Sequence, residues 1–190
     1  MLVVLLGPPG AGKGTQAKNI CKNYKLFHFS TGDILRNEIE KNTEIGKKIK
    51  SIINAGQLVS DEIIINIVEK IVSINLKKNN GILFDGFPRN LDQANAFHEL
   101  LNNIEKKIDC VLHLSIDKNE VIKRIKKRAV EENRKDDNTE VLKSRIDVYL
   151  KETSPLIELY KKEKVLKKIN GMETIENVSL NINKVLDLIN

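Results

Sequence analysis

Residues Gly7-Pro8-Pro9-Gly10-Ala11-Gly12-Lys13-Gly14-Thr15 combine four glycines with one lysine directly after the apolar run Met1 to Leu6. A glycine-rich turn between a strand and a helix exposes backbone N–H groups, and the helix behind it aims its positive end at the same point. Together these cradle phosphate. Lys13 can offset charge on a phosphoryl group being transferred. Gly14 stands where a general phosphate loop carries Ser or Thr to hold magnesium, and Thr15 comes one place later. Direct ligation of the metal by the loop is therefore not expected. A GTPase or motor ATPase fits poorly, since the nearest match to an Asn-Lys-x-Asp guanine signature, Asn183-Lys184-Val185-Leu186, fails at its last residue. A kinase of small molecules fits.

A second apolar run, Gly81 to Phe84, ends in Asp85-Gly86-Phe87-Pro88-Arg89. A carboxylate at the C-terminal end of a parallel strand lies where such sheets bind ligands, and it can hold hydrated magnesium. Gly86 permits close backbone approach, and Pro88 fixes a bend that aims Arg89 inward. Ser30-Thr31-Gly32-Asp33 taken alone is a helix N-cap with an acidic first turn.

The arginines are few. Of 32 basic residues only six are Arg, at positions 36, 89, 124, 128, 134 and 145, in a chain rich in Lys, Ile and Asn as A/T-rich codons would give. An Arg retained under such a bias marks a place where planar, bidentate grip on phosphate or stacking on a base is needed, which Lys cannot supply. An isolated Arg in an exposed ion pair would carry no such meaning.

These residues need a scaffold. Apolar runs at Leu2 to Leu6, Leu26 to Phe29, Gly81 to Phe84, Cys110 to Ile116 and Val165 to Ile169 read as strands, and helical patterns lie between them. Helices are expected at about 13–24, 33–41, 44–55, 61–76, 91–103, 118–131, 137–162 and 173–189. The alternation predicts an α/β fold with a parallel five-stranded sheet between two helical layers. Two stretches do not fit it, 30–59 and the polar 131–138; each is a flap over a site, or a surface hairpin and a solvated turn.

With 190 residues, 41% hydrophobic and 31% charged, the chain suits one domain with a full core and excludes disorder. Its opening apolar run is too short for a signal peptide and no stretch suits a membrane span. Two distant cysteines, Cys21 and Cys110, give neither a disulfide framework nor a zinc site, so a cytoplasmic location is expected. The net charge of +6 is open to nucleic acid, an anionic surface or a small polyanion. No aromatic-rich basic stretch supports nucleic acid, with five Phe, three Tyr and no Trp. His28, His98 and His113 lack a partner constellation and are read as structural.

The segments 7–16, Ser-Thr-Gly-Asp-Ile-Leu-Arg at 30–36, Gly-Gln-Leu-Val-Ser-Asp at 56–61, and Asp-Gly-Phe-Pro-Arg at 85–89 with Gln93 resemble adenylate kinases, within the nucleoside monophosphate kinases. The resemblance spans essentially the whole chain. It implies a P-loop three-layer fold in one unit, with core 1–29, 60–126 and 138–190, a helical NMP-binding flap at 30–59 and a short lid at 127–137. It implies the Mg-dependent reaction ATP + AMP = 2 ADP, serving adenine nucleotide homeostasis and AMP salvage, by a monomer with no nucleic acid or membrane partner.

On this resemblance ATP meets Gly10, Ala11, Gly12, Lys13, Gly14, Thr15, Arg124, Arg128 and the backbone near Glu173. AMP meets Thr31, Arg36, Gln57, Leu58, Val59, Gly86, Phe87, Pro88, Arg89, Gln93, Arg134 and Arg145. Asp33 and Asp85 order magnesium-bound water, and catalysis falls to Lys13, Asp85, Arg89, Arg124, Arg128, Arg134 and Arg145. Only Ala129 to Asn133 separate Arg128 from Arg134, as in short-lid members, so no lid zinc is expected. The alternatives are a UMP/CMP kinase, against which Thr31 and Gln93 speak, and a nucleotide-sensing or RNA-binding protein without turnover.

Overall fold

A computed structural model describes the backbone of residues 1–131 and 139–189, and their side chains apart from those of 118, 126–131 and 139. At its centre is β1 (Leu2–Leu6), buried along its whole length. Side chains alternate along a strand, so Leu2, Val4 and Leu6 enter one core while Val3 and Leu5 enter another. A strand apolar on both faces has to be covered on both.

On the first face, α4 (Asp61–Asn75) supplies Ile64, Val68 and Val72, and α5 (Leu91–Asn102) supplies Ala94, Phe97 and Leu101. On the second, α1 (Lys13–Tyr24) supplies Ala17, Ile20 and Tyr24, and α9 (Ile175–Leu186) supplies Val178, Ile182 and Leu186. The spacings of three and four keep each set on one helical face.

With β2 (Phe27–Ser30), β3 (Ile82–Asp85), β4 (Cys110–Ser115) and β5 (Leu166–Asn170), the sheet is parallel in the order β2-β3-β1-β4-β5. The expected α/β architecture is observed, each strand within one residue of its predicted ends. The chain places β2 and β3 on one side of β1, then crosses to the other for β4 and β5. At such a reversal the loops leaving the strands diverge and open a crevice. Asp85 is paired with both Leu5 and Ser30, which brings the ends of β1, β2 and β3 level at that crevice. Phe29, Phe84, Phe87 and Phe97 pack directly behind it, with Phe84 and Phe97 ring centroids 4.8 Å apart and Phe87 and Phe97 5.0 Å apart. These are four of the five Phe in the chain, and none has exposed surface to offer a nucleic acid base.

The segment 30–59 contains two helices, α2 (Thr31–Glu40) and α3 (Glu44–Asn54). Ser30 Oγ accepts from the Asp33 N–H, so α2 begins two residues before the predicted 33. Leu35, Ile49 and Val59 tie the hairpin to the first core. The expected lid at 127–137 lies outside the described residues, apart from the end of α6 (Lys118–Glu131).

The single helix expected over 137–162 is not observed. Beyond the undescribed stretch, α7 spans Thr139–Val148, a π-helical turn spans Tyr149–Thr153, and α8 spans Pro155–Lys162. Pro155 has no N–H to return to the preceding turn, and its ring crowds the carbonyl four residues back. The Ser154 N–H instead reaches Tyr149 O, five residues back, at 2.8 Å. Among the described residues no helix is long and apolar enough to cross a membrane.

Gly46 sets how closely α2 and α3 approach: a Cβ there would stand 2.0 Å from Glu38 O, a backbone atom that cannot step aside. Gly46→Ala should therefore force the hairpin apart and cost about 1–3 kcal/mol, the range for overpacking. Urea denaturation of the two proteins checks this.

Candidate active site

The loop after β1 curls through Gly10 and Gly12, with φ of 79° and 89°. A Cβ at Gly10 would also lie 2.8 Å from Ile125 Cγ1, so α6 rests directly on the loop. Lys13 opens α1 and donates from Nζ to Gly7 O at 2.7 Å and Pro8 O at 3.0 Å, which folds its ammonium across the loop. Gly14 is helical, and a Cβ there would stand 3.9 Å from Asp85 Oδ2. The carboxylate at the end of β3 therefore faces the first turn of α1. Burial pushes the His113 imidazole on β4 down, with the Lys168 and Lys13 charges acting in the same direction.

Next to this loop, Arg89 is gripped from four elements. Its Nε donates to Gly86 O at 2.7 Å and its Nη2 to Thr31 Oγ1 at 3.3 Å, while its own N–H donates to Gln93 Oε1 at 2.8 Å. Thr153 Oγ1 in the π-helical turn donates to Arg89 O at 2.7 Å. Thr31 in turn donates to Gly86 O at 2.7 Å. Gly86 has φ 77°, and a Cβ on it would meet both Arg89 Nη2 and Thr31 Oγ1 at 2.9 Å, so this knot needs a glycine. Burial pushes the Arg89 guanidinium down to about 10; the charge of Arg145 pushes the same way, Asp85 opposes it and Arg36 adds a little. Even so the group stays cationic at neutral pH, in a position where anions are welcome.

A cleft opens against Arg89, lined by Thr31, Leu58, Val59, Gly86 and Gln93, with Leu35, Ile53 and Ile64 as its apolar wall. Gln57 also lines it, while its Nε2 donates to Ser144 Oγ at 2.8 Å and Ser144 Oγ donates to Ala55 O at 2.9 Å. The hairpin thus touches α7, and the stem of Arg145 packs at Gly56, where a Cβ would lie 2.9 Å from Arg145 Cγ.

Other expected residues stand farther out. Arg36 pairs with the exposed Asp33 one helical turn away, and Arg124 Nε donates to Glu120 Oε1 at 2.9 Å on α6. Gly171 N–H binds Ser115 O at 2.8 Å, which sets the loop at 171–173 beside the end of β4. The Glu173 carboxylate accepts from Asn170 and Asn181 and so is engaged within its own loop and α9. The Arg128 side chain and all of Arg134 lie outside the described residues. The geometry as a whole is a glycine-rich loop crossed by a lysine ammonium, with a carboxylate, beside a cationic cleft with an apolar wall.

Residues 5–165 match the family model described as adenylate kinase. The chain belongs to the adenylate kinase family. Among its relatives, the adenylate kinase of Prochlorococcus marinus (strain SARG) is 48% identical over 184 residues, covering 97% of each chain. That of Prochlorococcus marinus (strain MIT 9211) is 44% identical over 187 residues, 98% of this chain and 97% of its own. That of Bacteroides thetaiotaomicron is 40% identical over 185 residues, 97% of each chain.

Within and around the family motifs stand residues to which the sequence attached no individual role. Thr153 holds the Arg89 carbonyl; Asp61 and Asn90 hold Gln93. Nothing in the sequence around Thr153 marks it, because its importance comes from the break at Pro155. His28 has a neighbour that the sequence does not show: its Nε2 lies 3.5 Å from Asp85 Oδ2, though not aligned as a hydrogen bond. His98 likewise has a carboxylate neighbour, Glu163, at 3.6 Å. Cys21, near Asp85, and Cys110 are free thiols, each pushed up to about 12, mainly by burial. Among the described residues no group of three or more His, Cys, Asp or Glu could enclose a metal ion.

Thr153→Val keeps the shape and removes the donor to Arg89 O. A buried carbonyl left without its partner costs about 1–3 kcal/mol, and the turnover of the family reaction should fall with it. Thermal melting and a coupled kinase assay on the same preparation test both effects.

Proposed function

We infer that the protein catalyses the reversible reaction MgATP + AMP = 2 ADP and serves adenine nucleotide homeostasis and AMP salvage. One observation carries the reading: the phosphate loop with Lys13, the Asp85 carboxylate and the Arg89 cleft converge at one sheet edge in a chain of the adenylate kinase family. The enzyme is a phosphotransferase. Its nucleophile is an oxygen of the AMP phosphate, already anionic, so no general base is needed. What the protein supplies is alignment of two nucleotides and a field that offsets charge on the migrating group.

In this assignment residues 10–15 cradle the ATP phosphates through backbone N–H groups. Lys13 exchanges its carbonyl partners Gly7 and Pro8 for phosphate oxygens. Arg124 and Arg128 cover ATP with the backbone at Glu173, while Arg134 and Arg145 close over the groups in transfer. Arg36 and Arg89 grip the AMP phosphate. Thr31, residues 57–59, residues 86–88 and Gln93 enclose the adenine. Segment 30–59 acts as the NMP flap and 127–137 as a short lid, which exclude water from a reaction that would otherwise become ATP hydrolysis.

Magnesium fits this donor set as a hydrated ion: the half-buried Asp85 faces the loop, Asp33 is exposed three residues beyond Ser30, the strand partner of Asp85, and hard carboxylate oxygens with retained water suit it. Asp33 and Asp85 would hold it through water, and bound there it would neutralise charge on the ATP phosphates. We further assign a monomer acting in the cytoplasm, where adenine nucleotides are exchanged and the two free thiols suit a reducing medium.

Product formation from MgATP with AMP, CMP or UMP tests the assignment. ADP arising at twice the rate of AMP loss, with AMP alone a good acceptor, is the expected result. CDP or UDP would move the chain to the pyrimidine kinases, and nucleotide binding without transfer would make it a sensor. Arg89→Lys should lower kcat by on the order of 10³, because an ammonium cannot keep Gly86 O and Thr31 Oγ1 while presenting a planar fork to phosphate.

A further inference from the structure

Asp61 opens α4 and borders the cavity lined by Leu58, Ser60 and Asn90 that adjoins the cleft at Arg89. Oδ1 accepts from Gln93 Nε2 at 2.7 Å and from Asn90 Nδ2 at 3.0 Å. Asn90 Oδ1 in turn caps α5 by accepting from the backbone N–H of Gln93 at 2.7 Å, so the three residues close a ring. Gln93 is 1% exposed and cannot turn its amide to solvent. Its Oε1 accepts from the Arg89 N–H at 2.8 Å.

These two neighbours have opposite hydrogen-bonding polarity. A carboxylate only accepts, and a backbone N–H only donates. Turning the Gln93 amide over would set its oxygen against Asp61 and its NH2 against the Arg89 N–H, leaving both ends of a buried amide mismatched. The amide therefore has one orientation. Each of its ends still has one capacity left, an N–H on nitrogen and a lone pair on oxygen, and these form a donor and an acceptor side by side.

We propose that Asp61 is a specificity-positioning residue: by holding the Gln93 amide in this sense, it makes the nucleotide cleft match a 6-amino purine and mismatch a 6-oxo purine. The base edge of the first offers an acceptor ring nitrogen beside a donor amino group, which pairs with the fixed amide. The second offers a donor ring N–H beside an acceptor oxygen, which only the reversed amide could pair. This inference rests on the reading of Gln93 as the base contact. Without Asp61 the amide keeps a single anchor at Arg89 and can swing, so the cleft loses discrimination as well as affinity.

The test measures kcat/KM for AMP and for inosine monophosphate, with saturating MgATP, in the parent enzyme and in Asp61→Ala, Asp61→Asn and Gln93→Leu. Asp61→Ala should lower the AMP-to-inosine-monophosphate ratio by about tenfold or more, the scale of one misplaced hydrogen-bonding edge in a closed site. Most of the change should lie in KM. A purely structural role would lower both activities together and leave the ratio unmoved. Asp61→Asn, close in shape and read in its place if the Ala protein does not fold, should move the ratio the same way by about threefold. A ratio within twofold of the parent in the Asp61 variants, together with a fall in Gln93→Leu, would overturn the proposal and leave Gln93 as the base contact. An unchanged ratio in Gln93→Leu would instead overturn the reading on which the proposal rests.

Discussion

The protein has to keep a guanidinium charged inside a folded chain, at the point where a sheet edge, two helices and a turn meet. Removing a cation from water is costly, and only well-placed hydrogen bonds and neighbouring charge make it tolerable. Arg89 meets that constraint with oxygen acceptors in fixed positions: Gly86 O from the turn after β3 and Thr31 Oγ1 from the start of α2. Its backbone is secured by Gln93 of α5 and Thr153 of the π-helical turn. Each of these partners belongs to a different element, so the packing of β3, α2, α5 and the break before α8 must all be correct for the charge to sit where it does.

The electrostatics of this arrangement are unfavourable without a ligand. Burial lowers the proton affinity of Arg89, and Arg145 repels it, while Asp85 only partly compensates. An anion entering the cleft would reverse the balance, since the cost of collecting like charges is met during folding rather than at each turnover. Preorganised charge of this kind stabilises a transition state without having to rearrange around it. The aromatic cluster of Phe29, Phe84, Phe87 and Phe97 supplies the stiffness: its rings pack against one another directly beneath the turn that carries Gly86 and Arg89. Dense packing leaves the charged layer little freedom to relax and weaken its own field.

Most of the scaffold was legible in the residues. Five short apolar runs separated by amphipathic stretches predict a parallel sheet, and the glycines of the phosphate loop mark its edge. The motifs at 30–36 and 85–89 already show which residues meet there. What could not be read was tertiary in origin. The break within 137–162 is marked locally by Pro155, which the periodicity passes over, whereas the use made of the π-helical turn before it, where Thr153 holds the Arg89 carbonyl, depends on a partner 64 residues away that periodicity does not see. Asp61 and Asn90 each stand at a helix start, where Asp and Asn are ordinary capping residues, so nothing local distinguishes the pair that also orients Gln93. His28 reads as an isolated histidine until the register of β2 against β3 brings it to Asp85.

The same reasoning separates two kinds of contact made by the segment 30–59. Toward the main core it offers Leu35, Ile49 and Val59, whose burial is lost only at several kcal/mol. Toward α7 it offers the Gln57, Ser144 and Ala55 hydrogen bonds at the surface, each exchangeable with water at a net cost of about 1 kcal/mol. A segment fastened apolarly at its base and polarly at its rim can part from α7 without leaving the core. Since α7 also carries Arg145, whose stem meets Gly56, this rim contact and one of the charges beside Arg89 share a helix.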